Sequence, residues 1–117
     1  MPLHSTFSAR LIGVCIALAI LAGSLLPLSM PPAANSDKLL HLAGYGLLSG
    51  WWCLCLPHHR LRVALVATFY GVLIECLQAL TPFRSFDVLD MLANGCGALL
   101  GMGMGLAWGS RLYKKRT

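Results

Sequence analysis

VALVATFYGVLIECLQALTPF, residues 63–83, decides how this chain folds, because one acidic side chain, Glu75, is its only charge. A helix of about 20 apolar residues crosses a ~30 Å hydrocarbon layer, and this stretch has that length. Working outward, residues 11–36, 39–59 and 91–110 contain no Asp, Glu, Lys or Arg. The whole chain of 117 residues is 57% apolar and 11% charged, too few charges to cover so much apolar surface in water. The expected fold is all-α: a polytopic membrane protein with four transmembrane helices in an up-down bundle. They are placed at about 10–28, 38–56, 61–81 and 88–109, in one membrane domain spanning 1–117.

The basic residues set the orientation. Arg10, Arg60, Arg62, Arg111, Lys114, Lys115 and Arg116 fall on one side of this layout, and only Lys38 and Arg84 on the other. Cytoplasmic loops carry the excess of Lys and Arg, so both termini and the 57–62 loop are expected in the cytoplasm of a multi-pass inner (cytoplasmic) membrane protein. Trp51, Trp52, Trp108 and Tyr113 lie toward the same interface. The formal charge of +5 reflects these anchors, and the tail 111–117 suits anionic headgroups. No basic, aromatic-interleaved surface points to nucleic acid. Asp37, Asp87 and Asp90 then lie at the outer surface, with Glu75 in the outer half of its helix.

Five cysteines, 15, 53, 55, 76 and 96, sit inside the apolar stretches; their odd number argues against a disulfide framework and suits small buried hydrophobes. Cys53-x-Cys55 followed by His58-His59 does not have the spacing of a common zinc site. Ala17-Leu18-Ala19 resembles a signal cleavage site but has too little apolar sequence before it, so the first helix is read as retained. Gly97, Gly101, Gly105 and Gly109 recur every four residues, a spacing that lets helices approach closely in lipid. Packing within the chain is the plainer reading of that stripe; a homo-oligomer seam is the other.

Three predicted helices carry polar stripes. Asp37, His41 and Tyr45 are spaced i, i+4, i+8, with Lys38 close to their face; Glu75 and Gln78 are i, i+3; Asp87, Asp90 and Asn94 are i, i+3, i+7. Arg84 falls in the turn between the last two. Glu75 lies twelve residues from Val63, roughly 18 Å into the layer. There it must face the bundle, meet a partner or take a proton, with His41 and Asn94 at similar depth. Interhelical hydrogen bonds alone would account for Gln78 or Tyr45, at about 0.6 kcal/mol each. The collection of the whole set at one mouth favours a site.

Asp37-Lys38-x2-His41-x3-Tyr45, Gly71-x3-Glu75-x2-Gln78 and Arg84-x2-Asp87-x2-Asp90-x3-Asn94-x2-Gly97 resemble the signature of the VanZ-like family across about residues 36–108. The resemblance implies a small multi-helix membrane protein of the cell envelope; the family name comes from a member linked to teicoplanin resistance, and no biochemical activity comes with it. Its shared residues map onto Asp37, Lys38, His41, Tyr45, Glu75, Gln78, Arg84, Asp87, Asp90 and Asn94.

Three functions compete. The first is an outward-facing site for an anionic lipid-linked or envelope ligand, with Lys38 and Arg84 on a phosphate. His41, Glu75 and Asp90 are the candidates for acid–base work there, and binding without chemistry fits the residues equally well. A divalent cation at Asp87 and Asp90 is a variant of this reading. The second is a small proton-coupled transporter built on Glu75, although such sites sit near the midplane. The third is a structural or assembly subunit docking through its glycine face. The layout predicts that, in a cysteine-free background, D37C and D87C react with an impermeant maleimide in intact cells. H58C should react only after permeabilisation; the reverse pattern would invert the topology.

Overall fold

A computed structural model describes residues 7–25, 36–82 and 88–114, and these form four α-helices. They are α1 (Phe7–Leu25), α2 (Ser36–Cys55), α3 (Arg60–Ala79) and α4 (Val88–Lys114); no strand occurs among the described residues. The turn between α2 and α3 is dictated by Pro57, which cannot continue a helix. Leu56 N–H still donates to Trp52 O (2.8 Å), His59 N–H to Leu56 O (3.0 Å), and Val63 N–H to His59 O (2.9 Å), so the chain reverses without losing its ladder. At the far end of α3, Gln78 O accepts from Thr81 N–H (3.0 Å) and from Thr81 Oγ1 (2.7 Å) before Pro82 stops the helix.

α1, α3 and Val88–Gly109 of α4 are long and apolar enough to cross a membrane. α2 has twenty residues but carries Lys38, His41, Tyr45 and Ser49 along its length, which lowers its hydropathy. The polarity of the molecule is inverted relative to a soluble protein. Leu65, Phe69, Leu73 and Leu77 form an exposed stripe on α3, and Leu92, Leu99, Leu100 and Met104 are exposed on α4. Ser49, Glu75, Gln78, Asp90 and Asn94 are buried. A surface of that kind suits hydrocarbon, where no hydrophobic force draws helices together and small or polar residues make the contacts.

Helices α2 and α4 run parallel and form the most extensive contact in the molecule, with α3 packed on both and α1 on α2 and α3. Glycines on both helices allow this. A Cβ on Gly97 would come within 2.5 Å of Leu42 O, one on Gly101 would strike Gly46 O, and one on Gly105 would lie 2.8 Å from Cys53 Cβ. Ser49 Oγ donates to Ala98 O (2.7 Å) in the middle of the seam. The α4 stripe thus packs inside the chain, against Gly46 and Gly50, a second small-xxx-small pair not singled out in the sequence. Gly109 meets the Arg60 guanidinium instead.

Among the described residues α1 makes no contact with α4, so the helices do not close into a ring. Three side-chain donors reach α1 carbonyls: Trp51 Nε1 to Ala9 O (2.8 Å), Tyr70 Oη to Ala17 O (2.6 Å) and Gln78 Nε2 to Ser24 O (2.9 Å). The Trp52 ring lies on Gly13, where a Cβ would be 2.5 Å from Cε2. Trp51 and Trp52 therefore pack helices together besides lying at one end of the bundle. The expectation that all five cysteines are buried needs correction: Cys53 and Cys55 are, whereas Cys15, Cys76 and Cys96 face outward among the apolar side chains. A thiol is apolar enough for either place.

Gly101→Leu should force α2 and α4 apart and cost at least about 1–3 kcal/mol, the usual range for overpacking. Gly103→Leu should be tolerated, since nothing lies within 4 Å of its added Cβ. Thermal unfolding of the two variants in detergent, followed by circular dichroism, separates them; equal losses would contradict the seam.

Candidate functional site

Following the α2–α4 seam toward the start of both helices, the glycines give way to polar side chains. On α4 the inward face reads Asp90, Asn94, Gly97, Gly101; on α2 it reads Lys38, His41, Tyr45, Ser49. Because the seam is so close, short side chains bridge it. His41 Nδ1 lies 2.9 Å from Asn94 Oδ1; an amide oxygen only accepts, so Nδ1 carries the proton in this arrangement. The other ring nitrogen, Nε2, faces Asp90 Oδ2 at 3.8 Å, and Lys38 Nζ lies 3.9 Å from Asp90 Oδ1. Asp90 is thus a buried carboxylate between a half-exposed ammonium and an imidazole. Removing the Lys38 ammonium would leave its charge with less compensation.

The third wall is α3. Gly71, Glu75 and Gln78 occupy its buried face at i, i+4, i+7. A Cβ on Gly71 would sit 3.0 Å from Asn94 Nδ2 and 3.1 Å from Tyr45 Cε1, so Asn94 and Tyr45 meet α3 at its backbone. Glu75, one turn further along, is 1% exposed and within electrostatic range of Tyr45. Tyr45 Oη and Asn94 Nδ2 are buried and have no hydrogen-bond partner among the described residues. Leaving such groups unpaired costs about 1–3 kcal/mol each.

Beneath the polar groups the bundle is closed. Tyr45, Leu48, Ala67 and Ala98 form a buried apolar cluster, flanked by Ile16, Ile20 and Tyr70. The Tyr45 and Tyr70 rings lie 6.5 Å apart at 53°, a tilted pair. The constellation is therefore open toward one end and floored by aromatic and aliphatic side chains.

Of the ten residues expected from the sequence, Lys38, His41, Asp90 and Asn94 are joined directly, Tyr45 meets Asn94 over Gly71, and Glu75 lies within electrostatic range of Tyr45. Gln78 is on the same face of α3, but its amide is spent on Ser24 O of α1. Arg84 and Asp87 lie outside the described residues, as does the side chain of Asp37. The cation pair expected at Asp87 and Asp90 therefore rests on one described member. No cluster of three His, Cys, Asp or Glu suited to a metal occurs among the described residues. Two contributors had no role assigned from the sequence. Gly71 stood in the family motif one turn before Glu75 without being counted among the site residues, and Ser49, one turn beyond Tyr45, carries no charge to draw notice.

A relative in Schizosaccharomyces pombe (strain 972 / ATCC 24843), the uncharacterized protein C11E3.10, is 25% identical over 118 residues, which cover 97% of this chain and 73% of that protein. No solved structure matches. The family model described as VanZ/LLP1 matches residues 12–109, nearly the whole of the four-helix unit. The chain belongs to the VanZ/LLP1 family.

Proposed function

We propose that this protein spans the membrane four times with both termini in the cytoplasm, and that its polar mouth binds an anionic lipid-linked ligand from the outer side. The observation that carries the reading is the pair of buried, unpartnered donors, Tyr45 Oη–H and Asn94 Nδ2–H, where three helices converge. Donors call for acceptors, and phosphate oxygens supply several in a small space. Lys38, held by Asp90, adds positive charge at the mouth, and Arg84, four residues before the start of α4 in the sequence, is the second basic residue assigned to the ligand. Asp90 in this account orients Lys38 and His41 and does not itself face the phosphate. α2 crosses as the interior helix, its polar stripe shielded by α1, α3 and α4.

A site floored by Tyr45, Leu48, Ala67 and Ala98 favours binding over transport, since alternating access needs a route to the other side.

Purification in native membrane discs followed by untargeted lipidomics should show one phosphate-bearing lipid enriched with the protein. Enrichment should fall about 10–100-fold in Arg84→Ala and in His41→Ala, the loss expected for a charge-assisted hydrogen bond of about 1.5–3 kcal/mol. Glu75→Ala and Asp90→Ala should weaken it too, with protein levels in the membrane maintained. If all four variants retain the lipid unchanged, the site does not bind it. Gly71→Val should reduce the same enrichment by displacing Asn94 and Tyr45, while leaving the α2–α4 seam intact; an unaffected variant would mean that α3 is not a wall of the site.

A further inference from the structure

At the opposite end of the bundle, helices α1, α2 and α3 enclose a cleft of about 480 Å³ to which α4 contributes nothing. Ala17, Trp52, Val66 and Tyr70 give it apolar walls, and His59 and Arg62 stand at one end. Val66 is exposed, beside the outward-facing Leu65 and Phe69, so the cleft opens sideways onto the apolar surface. Two fixed side chains shape it. The Trp52 ring is seated on Gly13, and the Tyr70 hydroxyl is engaged with Ala17 O (2.6 Å), so that its ring, not its oxygen, is what remains to line the wall. Along α3 the eight steps from Arg62 to Tyr70 rise about 12 Å. That is close to the depth of one hydrocarbon leaflet, about 15 Å.

Charge at the two ends differs in sign. Arg10, Arg60 and Arg62 belong to the cleft end. The nearest acidic residue along α3 is Glu75, thirteen residues from Arg62 or about 20 Å away. An apolar slot open to the bilayer and headed by a guanidinium is complementary to an acyl chain below a negative headgroup. We infer that the cleft seats one acyl chain of an anionic phospholipid, with its phosphate at Arg62 and His59. This second lipid site lies back to back with the polar mouth: Leu48 and Ala67 floor the mouth and also line the cleft, and Tyr70 packs tilted against Tyr45, but the two have no charged residue in common.

The test uses the full chain carrying Arg84→Ala, which silences the polar mouth, in nanodiscs of equimolar phosphatidylglycerol and phosphatidylcholine. After detergent extraction, native mass spectrometry counts retained lipid. One phosphatidylglycerol per chain should be retained, several-fold over phosphatidylcholine. Adding Arg62→Gln, an exposed change, should bring the two lipids near parity. Adding Ala17→Phe should fill the slot and lower retention of both; if that variant does not fold, Arg62→Gln decides alone. Equal retention by the Arg84→Ala chain, or a preference unmoved by Arg62→Gln, overturns the assignment. So does efficient V66C cross-linking between two chains with no lipid retained, which would identify a second copy as the occupant.

Discussion

Contact between the backbones of α2 and α4 governs the rest of the molecule. Gly97, Gly101 and Gly105 bring the axes so near that Leu42, Gly46 and Gly50 are touched at their main-chain atoms. In lipid such contact is among the few sources of helix association, because apolar side chains gain nothing by leaving one hydrocarbon for another. The same closeness allows the small side chains of His41 and Asn94 to meet at 2.9 Å without water between them. Were the helices spaced by leucines, an imidazole and a carboxamide would not span the gap. Glycines that carry no chemistry thus set the geometry of those that do.

Polar groups in the interior and leucines outside follow from one solvent rule. A buried Glu75, Asn94 or Gln78 has its alternatives in hydrocarbon, where an unpaired polar group is costlier than in a protein interior with partners. The outward stripe of Leu65, Phe69, Leu73 and Leu77 would be a liability in water and costs little in a bilayer. The helix with a polar stripe along its length, α2, packs against all three others, as does α3, which carries the buried Glu75.

Helix number, approximate bounds and the polar faces were legible in the sequence, because stretches such as 63–83 permit only one regular structure in lipid. His41 and Asn94 were legible as lying at the depth of Glu75, because their spacings put them on inward faces; that they bond each other, with His41 also facing Asp90, was not. What could not be read was pairing between helices. The glycine stripe of α4 was plain, but its partner could be another chain or any helix of this one; Gly46 and Gly50, two glycines among many apolar residues, gave a weaker signal. Gln78 illustrates the same limit, since nothing in its own helix says that its amide turns to Ser24 O. Outward-facing cysteines were misjudged because hydropathy treats a lipid-facing thiol and a buried one alike.

The way α1 is held has a corollary for its sequence. Trp51, Tyr70 and Gln78 all grip carbonyl oxygens, which every residue type presents equally. What this helix must supply is contour rather than composition: a flat spot at Gly13, an apolar exterior and an unbroken coil. Substitutions that keep those three leave the carbonyls in place for the side chains that grip them.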